Sequence, residues 1–117
     1  MYLKKINLKN KIALVTGAGK GIGRASSIAM AEAGASIIGI SRTSSDLDKL
    51  QKDIKKVKGK LIKITCDIMD YDDLSSKLKK IKKVDILLNN AGTNIPEPFE
   101  KIKQKSMNYL VDLNMKA

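Results

Sequence analysis

Eight residues near the start, Thr16-Gly17-Ala18-Gly19-Lys20-Gly21-Ile22-Gly23, combine small size, backbone freedom and one cation. That mixture suits phosphate chemistry, because glycines let a ligand approach the main chain and leave N–H groups pointing at it. Gly17 can take the dihedrals of a tight turn. Gly21 has no side chain to hold a pyrophosphate away, and Gly23 allows the following segment to pack closely. A helix opening at Ile22 would add free N–H groups and a partial positive charge on the same side. The spacing Gly-x-x-x-Gly-x-Gly departs from G-x-G-x-x-G. Arg24 follows Gly23, so the Lys-Ser/Thr ending of a P-loop is missing.

A glycine cradle works only between a strand and a helix, and the surrounding pattern predicts both. Lys11–Thr16 reads as a first strand from Ile12, Ala13, Leu14 and Val15. The turn Gly17 to Gly23 leads into a helix over Ile22–Ala33, stopped by Gly34. Ser36–Ser41 is a second strand. Asp46 is expected to cap a second helix, whose apolar positions Leu47, Leu50, Ile54 and Val57 fall on one face, with Gly59 ending it. Leu61–Thr65 is a third strand. Asp72 or Asp73 opens a third helix with Leu74, Leu78 and Ile81 as its buried stripe. Val84–Leu88 is a fourth strand running into Asn89-Asn90-Ala91-Gly92. After Pro96 and Pro98, a last helix starts near Lys103 and continues to Ala117. Alternating strands and helices predict an α/β fold with a doubly wound parallel sheet of the Rossmann type, with residues 1–117 forming one domain or the N-terminal part of one.

Composition narrows the function. The 117 residues include one cysteine, Cys66, and no histidine, so no internal disulfide can form and a Cys/His metal site is excluded. No apolar run approaches the roughly 20 residues of a membrane span, and none follows the basic start as in a signal peptide. No membrane association is expected, and a reduced cytoplasmic setting is the default. The formal charge is +11, yet all but two of the 23 basic residues are lysines scattered among acidic neighbours. Tyr2, Tyr71, Tyr109 and Phe99 do not interleave with them, so no nucleic-acid partner is expected.

The Gly17-x-x-x-Gly21-x-Gly23 spacing resembles the short-chain dehydrogenase/reductase family. Further positions match in order: Asn89-Asn90-Ala91-Gly92 after the fourth strand, Asp67 in Cys66-Asp67-Ile68 after the third, and Asn114 in Asp112-Leu113-Asn114. The resemblance implies a dinucleotide cofactor. The glycine loop, Gly17, Gly19, Lys20, Gly21, Ile22 and Gly23, would lie on its pyrophosphate. Asp67 and Ile68 would lie at the adenine, and Asn90, Ala91 and Gly92 beneath the cofactor. It also implies a small-molecule carbonyl or alcohol substrate and homo-oligomers, dimers or tetramers. Ser41-Arg42-Thr43 through Asp46-Leu47-Asp48 looks like the branch of 3-oxoacyl-carrier-protein reductases, gluconate dehydrogenases and xylulose reductases.

The second strand suggests which cofactor. An NAD-preferring site usually carries an acidic residue there for the adenosine ribose 2′-hydroxyl. Here the strand ends Gly39-Ile40-Ser41-Arg42, and Asp46 comes too late along the chain to serve. Arg42 offers a charged fork to a 2′-phosphate, Ser41 a hydroxyl and Lys20 a second cation. NADP(H) is the expected cofactor.

The family transfers its proton with a Tyr and a Lys four residues later, beside a Ser and an Asn. Only the asparagine has a counterpart, Asn114, which the resemblance makes the catalytic candidate. Met107, Leu110 and Val111 would put it on the apolar face of the last helix. No Tyr-x-x-x-Lys occurs, since Tyr2, Tyr71 and Tyr109 are followed at that distance by Ile6, Ser75 and Leu113. The chain by itself is therefore expected not to turn over substrate. Two readings stay open: the cofactor-binding portion of an oxidoreductase, and a non-catalytic NADP(H)-binding module or pseudo-enzyme. Without the family's later strands, the fourth strand would be a bare edge. Poor solubility or marginal stability is then expected of the isolated chain.

Overall fold

The computed structural model describes residues 6–92 and 104–111. Apolar runs and glycine stops produce the elements in the expected order. These are β1 (Ile12–Thr16), α1 (Gly21–Glu32), β2 (Ser36–Ser41), α2 (Ser44–Lys56), β3 (Lys60–Thr65), α3 (Tyr71–Leu78), β4 (Ile86–Leu88) and α4 (Gln104–Val111). The sheet is fully parallel with order β3-β2-β1-β4. The chain winds from β1 out to β3, then jumps back to place β4 on the other side of β1. That reversal opens a crevice beyond the carboxyl ends of β1 and β4, the place where such sheets bind ligands.

Both faces of the central strands are buried, as in a parallel sheet covered by helices. Ala13, Val15 and Ile37 face α1 and α2, where Ala31, Leu47, Leu50 and Ile54 complete one cluster. Leu47, Leu50 and Ile54 are the stripe expected from their spacing. Burying each contributes about 2 kcal/mol. Leu14, Ile38, Ile40 and Ile64 form the opposite face with Cys66 and Ile68, and Leu74, Leu78 and Ile81 pack against them. Helix α1 turns Gly23, Ser27 and Ala31 inward. Small residues four apart let its axis lie close to the sheet.

Several helix ends differ from expectation. The cap of α2 is Thr43, and Asp46 sits one turn inside, where its charge favours the positive end of the helix. The cap of α3 is Asp70, whose carboxylate accepts the Asp73 N–H at 3.2 Å, so Asp72 and Asp73 lie in the first turn. At the end of α2 the left-handed residue is Lys58 (φ 60°), not Gly59. Gly59 is required for closeness instead, because a Cβ there would lie 2.9 Å from Ile54 and 3.0 Å from Ala31. Gly34 (φ 110°) ends α1 as its position predicts. Strand β4 is shorter than the expected Val84–Leu88 and lies at an edge, with Leu87 58% exposed. Met107 and Val111 of α4 are exposed as well. Among the described residues no helix is long and apolar enough to cross a membrane.

Candidate functional site

Each of the four strands delivers a loop to one cleft of about 250 Å³ at the carboxyl end of the sheet. Gly17, Gly19 and Lys20 come from β1, while Ile40, Ser41, Arg42, Thr43 and Asp46 come from β2 and the start of α2. Cys66, Asp67 and Ile68 follow β3, and Asn90, Ala91 and Gly92 follow β4. Ten of the residues singled out in the sequence thus meet in one place although they span most of the chain. Arg42, Ser41 and Lys20 do lie together there.

The glycine loop is shaped by left-handed backbone at Gly17 (φ 65°) and Gly21 (φ 56°). A Cβ on Gly17 would come within 3.0 Å of the Ala91 main chain, so the loop lies directly against the 90–92 segment. Gly21, Ile22 and Gly23 do not line the cleft. Nothing lies within 4 Å of where a Gly21 side chain would begin, so its positive φ is what excludes other residues. Ile22 is 75% exposed. A side chain on Gly23 would run into the Gly17 carbonyl oxygen and Asn90 Nδ2, so this glycine holds the loop together from behind. Lys20 occupies the N-cap of α1 and makes no side-chain cap, and no acidic residue stands in the first turn. The first N–H groups of α1 are therefore suited to an anion.

Thr16, absent from the candidates read in the sequence, holds two of these loops together. Its hydroxyl oxygen accepts the N–H groups of Asn90 and Ala91, each at 3.0 Å, and its proton reaches the Leu88 carbonyl at 3.5 Å. Asn90 Nδ2 donates to the Gly17 carbonyl at 3.3 Å. The Ala18 N–H donates to the Ile40 carbonyl at 3.1 Å and ties the glycine loop to β2. A threonine ending a strand directly before the first glycine was the one available signal.

On the β2 side, Ser41 Oγ accepts the Thr43 N–H at 3.2 Å and keeps its own proton for a ligand. Asp67 Oδ1 accepts the Met69 N–H at 3.0 Å, a local turn that fixes the loop after β3. Cys66 is buried, and burial, then the Asp73 carboxylate beside it, pushes its thiol up to about 11. It is a neutral wall of the cleft at physiological pH.

Asp46 corrects the sequence reading most directly. It is the third residue of α2, and that first turn brings its carboxylate to line the cleft beside Ser41. Lys20 Nζ lies 3.7 Å from Asp46 Oδ2. An acidic residue that follows β2 too late to belong to it therefore lines the same cleft from the first turn of α2. Asn114 lies outside the described residues.

A parallel sheet in the order β3-β2-β1-β4, with a glycine loop entering a helix at its reversal point, defines a Rossmann-type α/β nucleotide-binding fold. Residues 11–117 match the family model described as short chain dehydrogenase, and the chain belongs to that family. It is 34% identical over 112 residues to L-xylulose reductase of Mesocricetus auratus, covering 96% of this chain and 44% of that protein. A short-chain type dehydrogenase/reductase from Mycobacterium marinum superposes with a TM-score of 0.89 at 30% identity, over 98% of this chain and 49% of that one. A Beutenbergia cavernae protein assigned as an NAD(P)-dependent gluconate 5-dehydrogenase, with bound NADP, superposes at 0.85 with 29% identity, over 95% and 45% of the two chains. The chain thus spans about half the length of the relatives it matches.

Proposed function

We propose that these residues are the cofactor-binding portion of an NADP(H)-dependent oxidoreductase acting on a carbonyl or secondary alcohol of a small molecule. The observation that carries the reading is the convergence of Ser41, Arg42 and Lys20 in one cleft with the glycine loop. The loop and the first N–H groups of α1 would hold the pyrophosphate, and Arg42, Ser41 and Lys20 a ribose 2′-phosphate. Asp67 and Ile68 would lie at the adenine. The segment Asn90 to Gly92 would support the other end of the cofactor, held in register by Thr16. Bound there, the nicotinamide supplies or accepts a hydride.

The fit rests on this chain's own geometry. Left-handed backbone at Gly17 and Gly21 and an α1 terminus with no side-chain cap describe a cradle suited to an anion. NADP bound at low occupancy in the B. cavernae relative supports a dinucleotide in this cleft, and the sugar in the name of the xylulose reductase supports a small carbonyl or alcohol substrate. Proton transfer would require the Tyr and Lys of the family, and no Tyr-x-x-x-Lys occurs in these 117 residues. Asn114 would hold the water that connects such a lysine to solvent.

Titration of the 117-residue chain with NADPH and NADH, followed by nicotinamide fluorescence, tests the assignment. Saturable binding with NADPH preferred is the expected result. Absence of binding by either nucleotide at millimolar concentration, to a chain shown to be folded by circular dichroism, would refute it. Hydride transfer by the 117 residues alone would refute the division of labour.

A further inference from the structure

The cationic side of the cleft contains its own competitor. Asp46 is only 13% exposed, whereas its partner Lys20 is 83% exposed, so the carboxylate is the fixed member of the pair and the lysine the movable one. Packing explains this. A Cβ built on Gly19 would lie 2.8 Å from both Asp46 Cβ and Ser41 Oγ, so loop, serine and carboxylate converge on one point. Leu47, the next residue, is fully buried and anchors that turn of α2. Asp46 cannot swing away from whatever enters beside Ser41.

We propose that Asp46 is a specificity-determining residue that sets the balance between 2′-phosphorylated and unphosphorylated dinucleotides. This rests on the cleft being the dinucleotide site. A 2′-phosphate seated against Ser41 and Arg42 brings two negative charges near a fixed carboxylate, and like charges in one desolvated site weaken binding. Lys20 offsets that repulsion, because it can leave Asp46 for the phosphate or bridge both. A ribose 2′-hydroxyl meets the opposite situation, since it can donate to the carboxylate. Asp46 therefore favours the unphosphorylated cofactor while Lys20, with Arg42, favours the phosphorylated one, and the ion pair holds the two preferences in balance.

The test uses 2′-phospho-ADP-ribose and ADP-ribose as probes, which isolate the adenosine end from any catalytic event. Calorimetric titration of the 117-residue chain compares wild type with Asp46→Asn, Asp46→Glu and Lys20→Met. Asp46→Asn is expected to raise the preference for the phosphorylated probe about tenfold, by tightening it and weakening ADP-ribose. Asp46→Glu should keep the wild-type preference, since it keeps the charge. Lys20→Met, at an exposed position, should weaken both probes, because the glycine loop also faces the pyrophosphate, but the phosphorylated probe about tenfold more than ADP-ribose. An unchanged ratio in Asp46→Asn, with both probes still bound, would overturn this inference and leave the nucleotide assignment standing. Failure of wild type and every variant to bind either probe, with each chain shown to be folded by circular dichroism, would overturn both.

Discussion

Replacing Thr16 by valine removes one oxygen atom and hardly changes the shape of the residue. The hydroxyl oxygen it removes accepts two main-chain N–H groups, from Asn90 and Ala91, at 3.0 Å each, and donates to the Leu88 carbonyl oxygen at 3.5 Å. An N–H left without a partner costs about 1–3 kcal/mol according to how far water is excluded. These two are partly buried, so about 1 kcal/mol each is appropriate, and the long third bond adds little. Valine's better strand propensity returns a few tenths. The expected loss is about 2 kcal/mol, or a fall in Tm of about 6–10 °C for a domain of this size. Thr16→Ser keeps the oxygen and should stay within about 0.5 kcal/mol of wild type. Urea unfolding followed by circular dichroism measures both. The substitution should also weaken NADPH binding, since the 90–92 segment loses its register against the glycine loop. A valine variant within about 0.5 kcal/mol of wild type would refute the claim that this hydroxyl holds the two loops together.

Gly23→Ala is expected to destabilise the fold by about 3 kcal/mol or more, because its methyl would collide with Gly17 and Asn90. Gly21→Ala meets only open space and a φ of 56°, so it should cost about 1–2 kcal/mol and chiefly reduce nucleotide affinity; parallel unfolding and binding curves separate the two. Lys58→Gly should stabilise the chain by about 0.5–1 kcal/mol in the same unfolding assay, because Lys58 ends α2 in the left-handed region. Asp85 accepts the Ile12 N–H at 2.8 Å, which, with Lys83 beside it, holds its carboxyl below the usual 3.8. A depressed carboxylate stabilises fully above the unfolded value and loses that contribution as pH falls through the folded one. Unfolding curves between about pH 5 and 2 should therefore show a shallower acid loss in Asp85→Asn, with Asp73 supplying part of what remains.

What could be read from the chain alone was whatever repeats locally. The strand Ser36–Ser41 and the stripe Leu47, Leu50 and Ile54 follow from runs and spacings of a few residues, and they came out as expected. The glycine loop was legible because left-handed backbone at Gly17 and strand-to-helix context are both local properties. Helix caps were less legible, since Thr43, Asp46, Asp70, Asp72 and Asp73 are all acceptable caps and only the exact turn of backbone selects among them. Tertiary structure alone decided which distant residues meet. Parallel pairing of β1 with both β2 and β4 puts the ends of three strands side by side. Thr16 thereby reaches Asn90, 74 positions away, and Asp46 reaches Lys20. Distance along the chain made Asp46 look irrelevant to the cofactor. Right-handed crossovers return every helix start to the same edge of the sheet, and that geometry placed a carboxylate where the sequence had shown only cations.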